Sequence, residues 1–223
     1  MHKKRATNNS GFAAIIAVVG VISALVALGG FFLFSSKKPA EKETAPSDVA
    51  TRNQLSPEID KILVGKTQVV EELAQNPTVV AEAKKSSERN KDLTQEEIKA
   101  LDKKWVGESE DSSYINGFIT NPVALELIKF QEKNPGFVEI FLTDSKGLNA
   151  GQTNRTSDFY QADEDWWVDV YSQGSGKSYY GEIEYDESAG SQSVSIYVPV
   201  KDGKVVVGVI KAVLDILTIV KEL

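Results

Sequence analysis

Apolar positions in this chain follow three successive rhythms. Gly11 to Phe34 is a run of 24 residues without a charged side chain. From Ser56 to about Lys133 the apolar residues recur at helical spacing, and from Phe137 onward the period falls to two. In the helical part, Ser56-Pro57-Glu58 supplies an N-cap with Pro at the first helical position, and Ile59, Ile62, Leu63, Val69, Val70 and Leu73 form the apolar face. Asn76-Pro77 interrupts this helix, and Val79 to Lys85 resumes it. Thr94, with Glu97 three residues on, opens a second helix as a capping box and carries it to about Trp105. A third runs from Pro122 to about Lys133, where Asn134-Pro135-Gly136 stops it.

The two-residue period then predicts strands at 137–142, 148–153, 179–185, 193–200 and 205–213, with a short helix at 163–172 and a last one at 216–223. In the fourth strand Val194, Ile196 and Val198 share one face, and Ser193, Ser195 and Tyr197 share the other. Helices first and then a mostly antiparallel sheet is an α+β arrangement.

As a helix, the uncharged run reaches about 36 Å, enough to cross a hydrocarbon core of roughly 30 Å. It is longer than the apolar core of a signal peptide, and Phe31-Phe32-Leu33-Phe34 makes a poor cleavage region, so it reads as an uncleaved anchor. Lys3, Lys4 and Arg5 sit on a tail of ten residues, and the positive-inside rule keeps that tail in the cytoplasm. The expected organisation is a cytoplasmic tail (1–10), a transmembrane anchor (11–34), a linker (35–55) and a periplasmic or extracellular domain (56–223).

Charge and composition narrow the chemistry. Residues 39–223 carry 20 basic against 32 acidic side chains, a balance that repels phosphate backbones and argues against nucleic-acid binding. Cysteine is absent and the one histidine is His2, which removes Ser-His-Asp and Cys-His catalysis and the usual zinc sites. A carboxylate-dependent hydrolase survives that filter, yet nothing marks a catalytic pair of acids, so no catalytic residue and no cofactor is expected.

The stretch FVEIFLTDSKGLNAGQTNRTSDFYQADEDWW, then GEIEYDESAGSQSVSIYVPV, then KVVVGVIKAVLDI, resembles a Cache domain, the PAS-like extracytoplasmic sensor module of chemoreceptors and sensor kinases. The break at Gln75-Asn76-Pro77 fits the same pattern. The resemblance implies a long N-terminal helix on one face of a sheet of five or six antiparallel strands. The other face, under a loop and short helix, would hold a small ligand. Amino-acid-binding members carry an Arg two residues before an aromatic pair. Glu164, ahead of Trp166-Trp167, stands there in this chain, which turns the expectation toward a cationic or neutral ligand such as an amine. Receptors of this kind continue into a signalling domain, whereas this sequence stops at Leu223, so a separate signalling protein is the expected partner. Pairing through the long helix would make a homodimer.

The candidate site residues are Arg155, Asp158, Tyr160, Trp166, Trp167, Tyr180, Asp186, Ser195 and Tyr197. Trp166 and Trp167 diverge by about 100° on a helix, so one lines the pocket while the other packs, unless both are core. Tyr160, Tyr180 and Tyr197 suit pocket walls and equally suit ordinary sheet positions. Arg155 and Asp158 are ligand contacts or a solvated pair. Asp186 is an amine contact or a turn residue. Asp163-Glu164-Asp165 reads as a helix-start cluster, since three successive helical acids diverge around the axis and hold calcium poorly. The structural alternative is a type IV pilin-like subunit. Lys3-Lys4-Arg5 followed by Ser10-Gly11-Phe12 resembles a prepilin leader, although Ile16 stands where pilins carry Glu.

Overall fold

A computed structural model describes residues 55–172, 176–186 and 191–223. The expected tail and anchor, nearly all of the linker and the side chain of Asp186 lie outside the described residues. No helix among the described residues is long and apolar enough to cross a membrane. Asn53–Leu223 forms one compact unit.

Its first half is helical: α1 (Pro57–Ala74), α2 (Pro77–Asn90), α3 (Gln95–Gly107), α4 (Ser113–Ile119) and α5 (Pro122–Lys133). Local caps set these boundaries. The Ser56 hydroxyl accepts from the Ile59 amide, and the Asn76 and Asn121 side chains accept from Thr78 and Ala124. Each of these caps precedes a Pro that has no amide proton to lose. The Thr94–Glu97 capping box is complete in both directions. The expected long N-terminal helix is broken where the sequence placed the break, into α1 and α2. At Asn76-Pro77 the proline lacks the N–H that helix continuity needs, and Asn76 takes an N-cap conformation instead.

Five strands follow: β1 (Phe137–Asp144), β2 (Asn149–Gln152), β3 (Tyr179–Asp186), β4 (Ser191–Asp202) and β5 (Val205–Asp215). Between β2 and β3 lies α6 (Asp165–Tyr171), and α7 (Ile216–Glu222) closes the chain. The sheet is antiparallel throughout, in the order β2-β1-β5-β4-β3. The period-two pattern locates all five strands; β1, β3, β4 and β5 extend one to four residues beyond the expected bounds because their ladders continue past the apolar alternation, and β2 is one residue shorter at each end. The short helix α4 has no counterpart among the expected elements.

The main core lies between one sheet face and α1, α2, α5 and α7. Leu63, Val70, Val79, Leu127, Ile140, Leu142, Val194, Ile196, Ile210 and Leu214 are fully buried there. Burial of such side chains contributes about 1.5–3 kcal/mol each relative to exposure. The alternation in β4 therefore places Val194, Ile196 and Val198 toward the helices, and Ser195 and Tyr197 toward the opposite face. A second cluster is built around Trp105, with Ile98, Ile115, Leu148 and Phe159.

Candidate ligand-binding site

The face of the sheet away from α1 is covered by the segment 153–164 and α6. Hydrogen bonds from outside the sheet hold that segment in place. The Trp105 indole donates to the Thr156 carbonyl at 2.9 Å, and a carboxylate oxygen of Asp102 accepts from the Phe159 and Tyr160 amides at 2.7 and 3.1 Å. From below, the Asn149 amide donates to Thr156 Oγ1 at 2.7 Å and to the Asp158 carbonyl at 3.0 Å. The turn Asp144-Ser145-Lys146-Gly147 adds a main-chain bond, Gln161 N–H to the Gly147 carbonyl at 2.8 Å.

Between this cover and the sheet is a hollow of about 500 Å³. Asp158, Gln161, Glu164, Asp165 and Trp166 line it from the cover, Glu182, Glu184 and Tyr185 from β3, Ser193, Ser195 and Tyr197 from β4, and Lys211 from β5. The volume lies in the range that small-ligand sites occupy. A hollow of about 530 Å³ beside α1, Glu222 and Leu223, and one of about 350 Å³ between α2 and α4, contain none of the predicted site residues.

Four of those residues thus meet at one place: Asp158, Trp166, Ser195 and Tyr197. The others lie elsewhere. Trp167 is buried, donates to Thr143 Oγ1 at 2.9 Å and stacks on Tyr171, so the tryptophan pair divides between cavity and packing. Tyr180 belongs to the helix-facing side of the sheet, where its hydroxyl donates to Asp60 of α1. Tyr160 packs on the Trp105 cluster. Arg155 donates to the Trp105 carbonyl at 2.6 Å, satisfying an end carbonyl of α3. Asp186 pairs through its main chain with Ser191.

Aromatic rings form one end of the cavity. Trp166 stacks on Tyr197 with centroids 5.0 Å apart, and Tyr179 packs against Tyr197 at 4.9 Å. The Tyr179 hydroxyl donates to the Trp166 carbonyl at 3.0 Å, tying α6 to β3. Charge dominates the remainder, with five carboxylates (Asp158, Glu164, Asp165, Glu182 and Glu184) against the single cation Lys211. Burial pushes the Asp158 carboxyl above its ordinary value, against the lowering effect of the Gln161 amide. Glu164 is raised first by burial and then by its neighbours Asp158 and Asp163, with Lys211 opposing. Burial likewise raises the Tyr197 phenol. Among the described residues no group of three His, Cys, Asp or Glu side chains is placed to hold a metal ion.

Sequence reasoning passed over Lys211, Glu182 and Glu184. A signal for Lys211 was present: it is the one charged residue between Val205 and Leu214. The glutamates owe their place to a register shift between Tyr180 and Ile183, which has no local sequence mark.

No protein-family model matches the chain, and no curated protein does. Among solved structures it is similar to the sensor domain of the V. cholerae histidine kinase DctB, at 13% identity and TM-score 0.39 over 74% of this chain and 54% of that one. It is similar to the sensory domain of the Campylobacter jejuni chemoreceptor Tlp3 with isoleucine bound, at 13% identity and TM-score 0.39 over 70% of this chain and 65% of that one. A third is the ligand-binding domain of the Pseudomonas fluorescens chemoreceptor CtaA in complex with L-valine, at 19% identity and TM-score 0.43 over 74% of this chain and 58% of that one. The chain thus spans less than two thirds of each of these, and all three are sensory or ligand-binding domains of a histidine kinase or a chemoreceptor.

Proposed function

We propose that the protein is a membrane-anchored, extracytoplasmic sensor module of the Cache type that binds a small cationic metabolite and passes the signal to a separate partner protein. The observation that carries this reading is the hollow of about 500 Å³ beneath α6, with an aromatic end and five carboxylates. A protonated amine satisfies such a lining. It donates to the carboxylates, and its charge offsets the repulsion among Asp158, Glu164 and their neighbours. Nothing in this role requires catalysis. Ligand in the hollow would touch α6 and strands β3, β4 and β5 together and so favour one arrangement of them. A change of that kind is what a partner reads. The uncharged run 11–34 supplies the anchor, and the basic tail before it sets the orientation.

A thermal-shift screen of amines, amino acids and carboxylates on the full chain in detergent micelles tests the binding role. Amines are expected to raise Tm; a panel in which no member does so overturns the reading. Protease added to intact cells or spheroplasts is expected to cut residues 56–223, and protection of that region reverses the orientation. The pilin-like alternative draws no support from the described residues.

A further inference from the structure

Lys211 stands at the middle of a row of side chains crossing the sheet. Its Cα pairs with Phe141 on β1 and with Tyr197 on β4, so all three side chains project from the cavity face. Trp166 of α6 roofs the row. It stacks on Tyr197, with ring planes 16° apart, and meets Phe141 edge-on at 6.1 Å. The Lys211 ammonium lies 5.3 Å from the Trp166 ring centre and 5.8 Å from that of Phe141. Among the described residues it makes no ion pair and no hydrogen bond, although five carboxylates line the same hollow. Two rings, Trp166 and Phe141, flank the cation within about 6 Å, a range in which ring faces attract an ammonium ion, and here the cation belongs to the chain itself.

We propose that Lys211 is a built-in occupant of this aromatic box and that it makes the site select cations bearing N–H groups over quaternary ammonium ions. The inference rests on the reading of the hollow as a ligand site. A quaternary ammonium ion has no N–H to give a carboxylate and binds chiefly through ring faces. Those faces are already taken, and Lys211 repels a second cation brought beside it. A primary amine or guanidinium avoids this conflict. It leaves the rings to Lys211 and donates to the carboxylates that line the hollow, where charge-assisted hydrogen bonds favour it.

The test is calorimetric titration of the full chain in detergent micelles with putrescine and with choline, for wild type, Lys211→Met and Lys211→Arg. Wild type is expected to bind putrescine and to bind choline at least about tenfold more weakly. Lys211→Met fills the same space without charge and is expected to gain tenfold or more for choline. Lys211→Arg retains a cation and is expected to exclude choline as wild type does. Choline bound by wild type as tightly as putrescine overturns the inference, and so does a folded Lys211→Met that gains nothing for choline. The wild-type comparison stands even where a variant fails to fold. Wild type indifferent to both cations, with choline gained by Lys211→Met, sinks the sensor reading and supports the box. Neither cation bound by any of the proteins overturns both.

Discussion

The indole of Trp166 lies flat on the phenol ring of Tyr197, with centroids 5.0 Å apart and planes 16° apart, and this contact fastens α6 to the central part of the sheet. The adjacent Trp167 turns the other way, buried against Thr143 and Tyr171. One helical step thus separates a side chain that lines the cavity from one that fills the interior. Substitution should separate the two roles. Trp167→Ala removes a buried indole and leaves the Thr143 hydroxyl without its donor, so a stability loss of about 3 kcal/mol or more is expected. Trp166→Ala is expected to cost less stability, the lost stack itself being worth about 0.5–1.5 kcal/mol, and to weaken ligand binding at least about tenfold because α6 loses its hold over the hollow. Chemical denaturation and titration of both variants check this; equal effects on stability and binding would contradict the division.

Protonation of the cover gives a second expectation. Asp158 and Glu164 both hold their protons to higher pH than ordinary carboxyls, mainly because they are desolvated. Between the unfolded and the raised folded values the native state carries more protons than the unfolded chain. Stability therefore falls as pH rises through that window, starting from the ordinary values of 3.8 for Asp and 4.5 for Glu. An amine ligand reverses the sign: its affinity should rise with pH over the same window and its binding should release protons. Tm against pH, and titration heats in two buffers of different ionisation enthalpy, measure both effects. Asp158→Asn should flatten both profiles.

Legibility from the sequence followed how local each signal was. Ser56-Pro57, Thr94 with Glu97, and Asn121-Pro122 cap their helices through groups two or three residues away, and each boundary was read within a residue or two. Val194-Ile196-Val198 against Ser195 and Tyr197 likewise marked the two faces of β4. Ser113–Ile119 is under two turns long, with Asn116 and Gly117 at its centre, so no helical period could build up. The site depended on pairing between distant strands. Lys211 enters through the register that sets it beside Tyr197, and Tyr180 leaves because a register shift follows it. Neither is encoded within a few residues of the position it decides.

The turn that carries the cover offers a backbone test. Gly147 has φ of +79°, and a Cβ there would sit 2.5 Å from the Ala162 Cβ and 2.7 Å from its nitrogen. Its carbonyl accepts from Gln161, next to Ala162. Gly147→Ala is therefore strained twice, in dihedral angle and in space, and a loss of about 1–3 kcal/mol is expected. Because the clash falls on the segment bearing Asp158 and Glu164, ligand affinity should fall with it. A variant as stable as wild type would show that the cover does not seat on this turn.

Asp144, at the end of β1, is fully buried and joins the helical layer to that same turn. One carboxylate oxygen accepts from Ser86 Oγ at 3.0 Å and Asn90 Nδ2 at 2.7 Å, both on α2. The other accepts from the Lys146 and Leu148 amides at 2.9 and 3.1 Å. Four donors thus converge on one side chain. Asp144→Ala leaves them without that acceptor in a buried place, and since each buried donor left unsatisfied costs about 1–3 kcal/mol, a loss of about 3 kcal/mol or more is expected. Asp144→Asn keeps the size but replaces one acceptor oxygen with a donor, which must then face donors from either α2 or the turn. A smaller but still substantial loss follows, about 2 kcal/mol. Because Asp144 also fixes the turn on which the cover seats, ligand affinity should fall together with stability, more in Asp144→Ala than in Asp144→Asn. Urea unfolding paired with titration at low temperature checks both halves. Wild-type affinity in a folded Asp144→Ala protein would show that the cover does not depend on this turn.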